Sequence, residues 1–152
     1  MKQYDLIIIG AGRSSNLAQN VAKQGKKVAL IEKSSLGGTC ANRGCVPSKL
    51  LIGYAEVSRA IQEAQKHYID ATINQIDIEK IFEKTNEYIS KVDENYEKKF
   101  NENVTVFRGI GKFVDNKTIE VNNQRLTAKY IIIATGSRPV DPPHEKAWSS
   151  DD

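Results

Sequence analysis

Tyr4-Asp5-Leu6-Ile7-Ile8-Ile9-Gly10-Ala11-Gly12-Arg13-Ser14-Ser15 is the stretch that decides the fold. The run from Tyr4 to Ile9 is short, β-branched and nearly continuous in apolar residues. It predicts a strand buried on both faces, as in a parallel sheet. Gly10 to Ser15 follows as a turn. Leu17, Ala18, Val21 and Ala22 then recur at helical spacing, which predicts a helix from Ser14 to Gln24, with Gly25 as its stop. Lys27 to Glu32 predicts a second strand, completing a β-α-β unit of about thirty residues.

In that context Gly10-x-Gly12-x-x-Ser15 has the form of a dinucleotide-binding turn. The first glycine permits the tight turn. The second lets the backbone approach a pyrophosphate, whose charge faces the helix N-terminus. The third position needs a very small side chain, and Ser15 stands there in place of glycine or alanine. Arg13 and Ser14 complete the turn and are candidate cofactor contacts. Glu32 ends the second strand, where a carboxylate would accept hydrogen bonds from an adenosine ribose, and Lys33 follows it. The turn alone does not separate FAD from NAD.

Downstream, Ser34 to Ser48 is rich in glycine and small polar residues and predicts a loop. Pro47 sits where a first helical turn would begin. Helices are expected from Ser48 to His67 and from Ile78 to Phe100, the second with an apolar face and a solvated Lys/Glu/Asn face. From Val104 the periodicity becomes strand-like. Val104–Arg108, Gly111–Val114, Thr118–Val121 and Arg125–Ala128 predict a small meander, and Tyr130–Ala134 a further buried strand. The expected fold class is α/β: a Rossmann-like parallel sheet with an inserted β-meander and long helices.

The chain has 152 residues, of which 39% are hydrophobic, enough for the core of one domain. Its net charge of +3 is too mild to indicate nucleic acid. No apolar run approaches a membrane span and no secretory signal is recognisable, so the expected compartment is the cytoplasm. The 2 cysteines, Cys40 and Cys45, are too few for a secreted disulfide scaffold, and the 2 histidines, His67 and His144, are too distant to complete a zinc site.

Those cysteines lie in Gly37-Gly38-Thr39-Cys40-Ala41-Asn42-Arg43-Gly44-Cys45-Val46-Pro47-Ser48-Lys49. A straight helix would separate positions 40 and 45 by about 7.5 Å along its axis. Pairing them therefore requires a bend, for which Gly44 gives room. Cys45 sits just ahead of a helix start, where backbone amides stabilise a thiolate, and Lys49 adds positive charge one turn on. These features suit a reversible dithiol/disulfide pair. The alternative is two buried cysteines acting as small apolar residues.

The stretch Gly37–Lys49 resembles the redox-active disulfide motif of the FAD-dependent pyridine nucleotide–disulfide oxidoreductases. That family includes dihydrolipoamide dehydrogenase, glutathione reductase, mercuric reductase and mycothione reductase. Ala134-Thr135-Gly136-Ser137-Arg138-Pro139 is similar to the family's second flavin motif, and Gly109-Ile110-Gly111-Lys112-Phe113 to its strand near the adenine. The resemblance implies FAD as cofactor, with NAD(P)H as electron donor or acceptor in the longer enzymes. It implies Cys40 as the thiol that attacks a disulfide substrate and Cys45 as the thiol against the flavin. Lys49 would lie near the flavin's reactive nitrogen. Gly38, Thr39, Gly111, Lys112, Ala134, Thr135 and Gly136 would line the cofactor, and Glu32 would hold its ribose. The Pro-Ser-Lys ending is more like the lipoamide and mercuric branches than the glutathione branch. Arg43 is an unusual residue between the two cysteines.

The resemblance further implies that residues 1–140 form an FAD-binding domain, incomplete relative to the family. Residues 141–152 would be a linker towards an absent NAD(P)-binding domain, and the missing segments would leave apolar surface at the sheet edge. The longer form is expected to be a homodimer acting on a small-molecule or protein disulfide, with no nucleic acid or membrane partner. Two rival readings stand beside it: a truncated, non-catalytic nucleotide-binding remnant, and a plain NAD-binding dehydrogenase domain. The second gives Cys40, Cys45 and the Ala134–Pro139 motif no use.

Overall fold

A computed structural model of the chain describes residues 1–138. The expected residues 141–152 linker, Pro139 and His144 lie outside them. The core is a six-stranded sheet: β1 (Lys2–Ile9), β2 (Val28–Glu32), β3 (Val104–Arg108), β4 (Lys112–Asp115), β5 (Thr118–Val121) and β6 (Gln124–Ile133). The strand order is β3-β2-β1-β6-β5-β4. The first four run parallel, with Leu6–Ile9 between Val28–Ile31 and Tyr130–Ile133. The last two extend the sheet antiparallel.

Period-two alternation along β1 and β2 sends side chains to two cores. Leu6, Ile8, Val28 and Leu30 pack with Ala18 and Ala22 of α1 (Ser14–Ala22). Ile7, Ile9, Ala29 and Ile31 pack on the opposite face with Phe107, Ile119 and Leu126. Both faces are covered, which is why these strands are almost continuously apolar. The helix α1 stops near the expected position, where the Gly25 N–H donates to the Ala22 carbonyl at 3.0 Å.

Four expectations need correction. The Ser34–Ser48 stretch is not all loop: it holds α2 (Gly38–Asn42) and the first residues of α3 (Cys45–Glu63). Contacts override its poor helix propensity: Leu36 is fully buried, and the Asn42 amide donates to the Leu36 and Gly38 carbonyls at 2.9 Å each. The helical stripe ending at His67 finishes as a 3₁₀ turn over Ala64–His67. The expected Ile78–Phe100 helix is two, α4 (Ile78–Ser90) and α5 (Val92–Glu97). The break lets Tyr96 and Phe100 pack on the α1-side core while α4 lies beside α3.

The strand region also differs from a separate meander. Val104–Arg108 is the parallel edge beside β2, and the expected strands Arg125–Ala128 and Tyr130–Ala134 are one, β6, which ends at Ile133. Pairing with β1 from Lys2↔Leu126 to Ile9↔Ile133 carries β6 straight through Lys129. Asn122 and Asn123, at φ 49° and 60°, form the tight turn between β5 and β6. The other edge, β4, is exposed along its whole length, Phe113 and Val114 included. Among the described residues no helix is long and apolar enough to cross a membrane.

Candidate dinucleotide and dithiol site

The first three strands of the parallel set to deliver residues here, β1, β2 and β6, all end at the same side of the sheet. Their carboxyl ends release Gly10, Lys33 and Ala134, the side on which open α/β sheets hold ligands. Gly10 has φ +100°, and a Cβ there would collide with the Ala134 carbonyl. Only glycine allows the two strand ends to approach so closely. The Ser14 hydroxyl donates to the Gly10 carbonyl at 2.5 Å. Ser15 is fully buried, and its hydroxyl donates to the Ala11 carbonyl at 2.8 Å. A serine therefore fits the small-residue position with its polar atom satisfied.

Glu32 is buried, with 8% of its surface exposed. One carboxylate oxygen accepts the Ala11 N–H at 2.7 Å; the other accepts the Ser34 N–H at 2.9 Å and its hydroxyl at 3.0 Å. It ties the glycine turn after β1 to the loop after β2 and still borders the open space.

The cysteine segment closes the other side. Gly38, the first residue of α2, faces Gly12: a Cβ on Gly38 would stand 2.8 Å from the Gly12 Cα. The backbone of the glycine turn and that of the cysteine helix are thus in contact through two glycines. Together they bound a cavity of about 1010 Å³. Its wall takes Gly10, Gly12, Arg13 and Ser14 from the turn and Glu32 and Lys33 from the end of β2. It takes Gly38, Thr39 and Cys40 from α2, and Ala134, Thr135 and Gly136 from the segment after β6.

Cys40 lies in the middle of α2 and Cys45 opens α3. The bend that pairing requires is present: α2 ends at Asn42, and Gly44 breaks the helical path at φ −131°, ψ −103°. Both thiols are free and exposed, which removes the alternative of two buried cysteines. A hydrogen bond with the neighbouring Cys45 and partial desolvation push the Cys40 thiol above its ordinary pKa, while the Arg13 charge acts in the opposite direction.

Five sequence-predicted residues are not in the cavity wall: Ser15, which is fully buried in α1, and four others. Cys45 and Lys49 lie beside it on the first turns of α3, both exposed. Gly111 and Lys112 lie behind Glu32. There the Gly109 N–H donates to the Glu32 carbonyl at 2.8 Å, and Gly111 abuts Ile31 and Ile119. Sequence reasoning missed Asp93, which lines the cavity from α5. Its carboxylate accepts the Leu36 N–H at 2.6 Å and pairs with Arg108 at 2.8 Å. The Arg108 guanidinium holds the Asp93 carboxyl below its usual range. Asp93 falls among the charges of a helix face that looks solvated, so no local signal marked it.

The wall carries Arg13, Lys33 and Arg43 outside any ion pair among the described residues, whereas both of its carboxylates, Glu32 and Asp93, are engaged. Close-packed glycine backbone, an open helix N-terminus and surplus positive charge are what a dinucleotide pyrophosphate requires.

The profile of the family described as "Pyridine nucleotide-disulphide oxidoreductase" matches residues 4–150. The chain belongs to that family. Within it, the chain is 35% identical over 142 residues to a mercuric reductase of Staphylococcus aureus, covering 91% of this chain and 26% of that protein. It is 37% identical over 143 residues to a dihydrolipoyl dehydrogenase of Chlamydia pneumoniae, covering 91% and 31%. To a glutathione reductase of Schizosaccharomyces pombe it is 36% identical over 154 residues, covering 94% and 33%. Among solved structures it is similar to the HOCl-induced flavoprotein disulfide reductase RclA of Escherichia coli, whose Cu(II) complex gives a TM-score of 0.74 at 30% identity and covers 94% of this chain and 31% of that one. The chain thus spans about a third or less of the length of these family members. The α/β fold class expected from the sequence is the one observed, and it is shared with that flavoprotein.

Proposed function

We propose that this chain is the FAD-binding segment of an NAD(P)H-dependent disulfide oxidoreductase, and that Cys40 and Cys45 are its redox pair. The observation that carries this reading is the Gly12–Gly38 contact, which puts a dinucleotide-type turn and a dithiol segment on one cavity. The residues fit the cofactor: Gly10 and Gly12 leave room for a pyrophosphate, Arg13 supplies charge, and Glu32 borders the ribose position. Gly38, Thr39, Ala134, Thr135 and Gly136 complete the wall. Lys33, Ser14 and Ser15 shape the turn and its rim. Lys49 and Cys45, on the helix beside the wall, would approach the flavin, and Gly111 and Lys112 the adenine end. FAD, when bound, supplies a two-electron carrier next to the thiols.

The chain's own chemistry is thiol–disulfide exchange. The Cys40 thiolate attacks one sulfur of a substrate disulfide, the substrate S–S bond breaks, and one thiolate leaves. Cys45, as thiolate, then attacks the Cys40 sulfur and releases the second. The protein dithiol has lost two electrons and two protons, and the substrate disulfide has gained them. The bend at Gly44 permits that closure.

The same reading assigns residues 1–140 to the FAD-binding domain, the protein to the reducing cytoplasm, and the longer form to a homodimer that acts like dihydrolipoamide dehydrogenase. The test is mass spectrometry of the reduced chain after exposure to excess oxidised glutathione. A mass loss of two hydrogens, absent in Cys40→Ser and Cys45→Ser, is expected. Two thiols still free in the wild type would reject the redox pair.

A further inference from the structure

We infer that Asn42 and Asp93 are positioning residues of the dithiol: each holds one of the two backbone groups of Leu36, and together they keep the cysteine helix where Cys40 and Cys45 can close. The inference rests on the reading above in taking Cys40 and Cys45 as a redox pair. It concerns what holds that pair ready.

The helix that carries Cys40 cannot hold itself. α2 has 5 residues, and no side chain caps its start. An isolated helix so short is unstable in water. Gly37 and Gly38 open it and Gly44 follows it, which adds backbone freedom. Its place therefore comes from contacts outside its own turn.

Those contacts meet at Leu36, whose side chain is fully buried. The Leu36 N–H donates to the Asp93 carboxylate at 2.6 Å, and the Leu36 carbonyl accepts the Asn42 amide at 2.9 Å. The same amide donates to the Gly38 carbonyl at 2.9 Å, so Asn42 ties the end of α2 back to its start. One turn after Asp93, α5 also presents Tyr96: a Cβ on Gly37 would stand 3.0 Å from the Tyr96 ring and 2.9 Å from the Ala41 Cβ. The Gly37 N–H donates to the Ala11 carbonyl at 2.9 Å, and the Arg43 N–H to the Thr39 carbonyl at 2.8 Å. These last two bonds run backbone to backbone and do not depend on side-chain identity. The bonds of Asn42 and Asp93 do.

Closing the disulfide joins the two sulfurs and removes two electrons and two protons from the thiols. Its conformational cost is the freedom that the segment loses on closure. A segment already fixed has less to lose, which raises the effective concentration of Cys45 at Cys40. Asn42 lies between the cysteines and ahead of the bend at Gly44, so it fixes the half that carries Cys40 and leaves the bend free to close.

The test uses the reduced 152-residue protein without added flavin, equilibrated without oxygen in glutathione and glutathione disulfide. Glutathione disulfide takes up the two electrons and two protons and leaves as two glutathione molecules. Alkylation and mass spectrometry then measure dithiol, internal disulfide and mixed disulfide with glutathione. Asn42→Ala and Asp93→Ala should each lower the ratio of internal disulfide to dithiol about fivefold, the worth of one hydrogen bond, while mixed disulfide rises. Asp93→Asn keeps an oxygen for the Leu36 N–H and should stay within about twofold of the wild type. The double alanine variant should lose little more than either single one, because both act through Leu36. Asn42→Asp keeps the shape without the N–H donors and should repeat Asn42→Ala. Ile119→Val trims the core on the far layer of the sheet. It should lower the thermal midpoint and leave the ratio unchanged, which separates positioning from general stability.

Ratios within about twofold of the wild type in the alanine and Asn42→Asp variants, or a rise in them, would overturn the positioning role and leave the redox pair standing. An equal fall in Ile119→Val would do the same. A wild type that forms no internal disulfide would overturn the redox pair and the positioning role together.

Discussion

Ser15 shows how a single side chain can depart from a motif and preserve its geometry. Its size made the position readable from sequence; its hydrogen bond did not. The hydroxyl donates to the Ala11 carbonyl, which also accepts the Gly37 N–H at 2.9 Å. Removing the hydroxyl therefore leaves no orphaned acceptor. Ser15→Ala should change the unfolding free energy by less than about 1 kcal/mol in urea titration. Glu32 is the opposite case. In Glu32→Gln an amide NH₂ must face either the Ala11 N–H or the Ser34 N–H, donor against donor. The same titration should show a loss of about 1–3 kcal/mol, and a value near zero would mean the carboxylate does not hold the turn. Sequence placed Glu32 at the end of its strand and pointed it at a ribose. That it also fastens the backbone of the phosphate turn depends on a distance across the fold that spacing does not encode.

At the scale of elements, the strap from β3 to α5 fixes the loop before the cysteine helix. Arg108 bonds Asp93 at 2.8 Å and Glu97 at 2.6 Å, and Asp93 in turn holds the Leu36 N–H. The Asp93 carboxyl is depressed in the folded state by Arg108. Its contribution is therefore complete above the ordinary carboxylate pKa of 3.8 and is lost as pH falls through the lowered folded value. The stability difference between wild type and Asp93→Asn should be flat from about pH 7 to 5 and shrink below about pH 4. Both groups are partly solvated, so screening limits the plateau to about 1 kcal/mol. Thermal midpoints across that range test it, and a difference that grows on acidification would contradict the strap. A change of packing partner explains why α4 and α5 are separate. A continuous amphipathic pattern from Ile78 to Phe100 made one helix the natural reading, but Tyr96 and Phe100 pack on the sheet core while Ile81 lines a groove with Tyr54, Val57 and Ile61 of α3. A period of 3.6 residues does not reveal a change of partner part-way along.

At the scale of the whole molecule, the parallel strands and the turn after β1 were legible because burial on both faces demands apolar continuity and the turn demands glycine. The family resemblance rested on the cysteine segment and extends over residues 4–150. The order of the outer strands was not legible. Val104–Arg108 has the same local character whether it joins a meander or the parallel edge, and only its register with Val28–Glu32 decides. The exposed β4 edge has a consequence in solution. With Phe113 half-exposed on an edge strand that pairs on one side alone, Phe113→Lys should lower light scattering at high protein concentration. Unchanged scattering would show that this edge is not where copies associate.

The central claim is that the glycine turn and the cysteine helix enclose one FAD site. Its most direct test is a fluorescence titration of FAD into the folded 152-residue protein, with NAD⁺ as competitor. Saturable quenching of flavin emission at one FAD per chain, resistant to NAD⁺ and lost in Gly38→Val, is the predicted result. A chain that is folded by circular dichroism yet takes up no FAD, or that yields its site to NAD⁺, would contradict it.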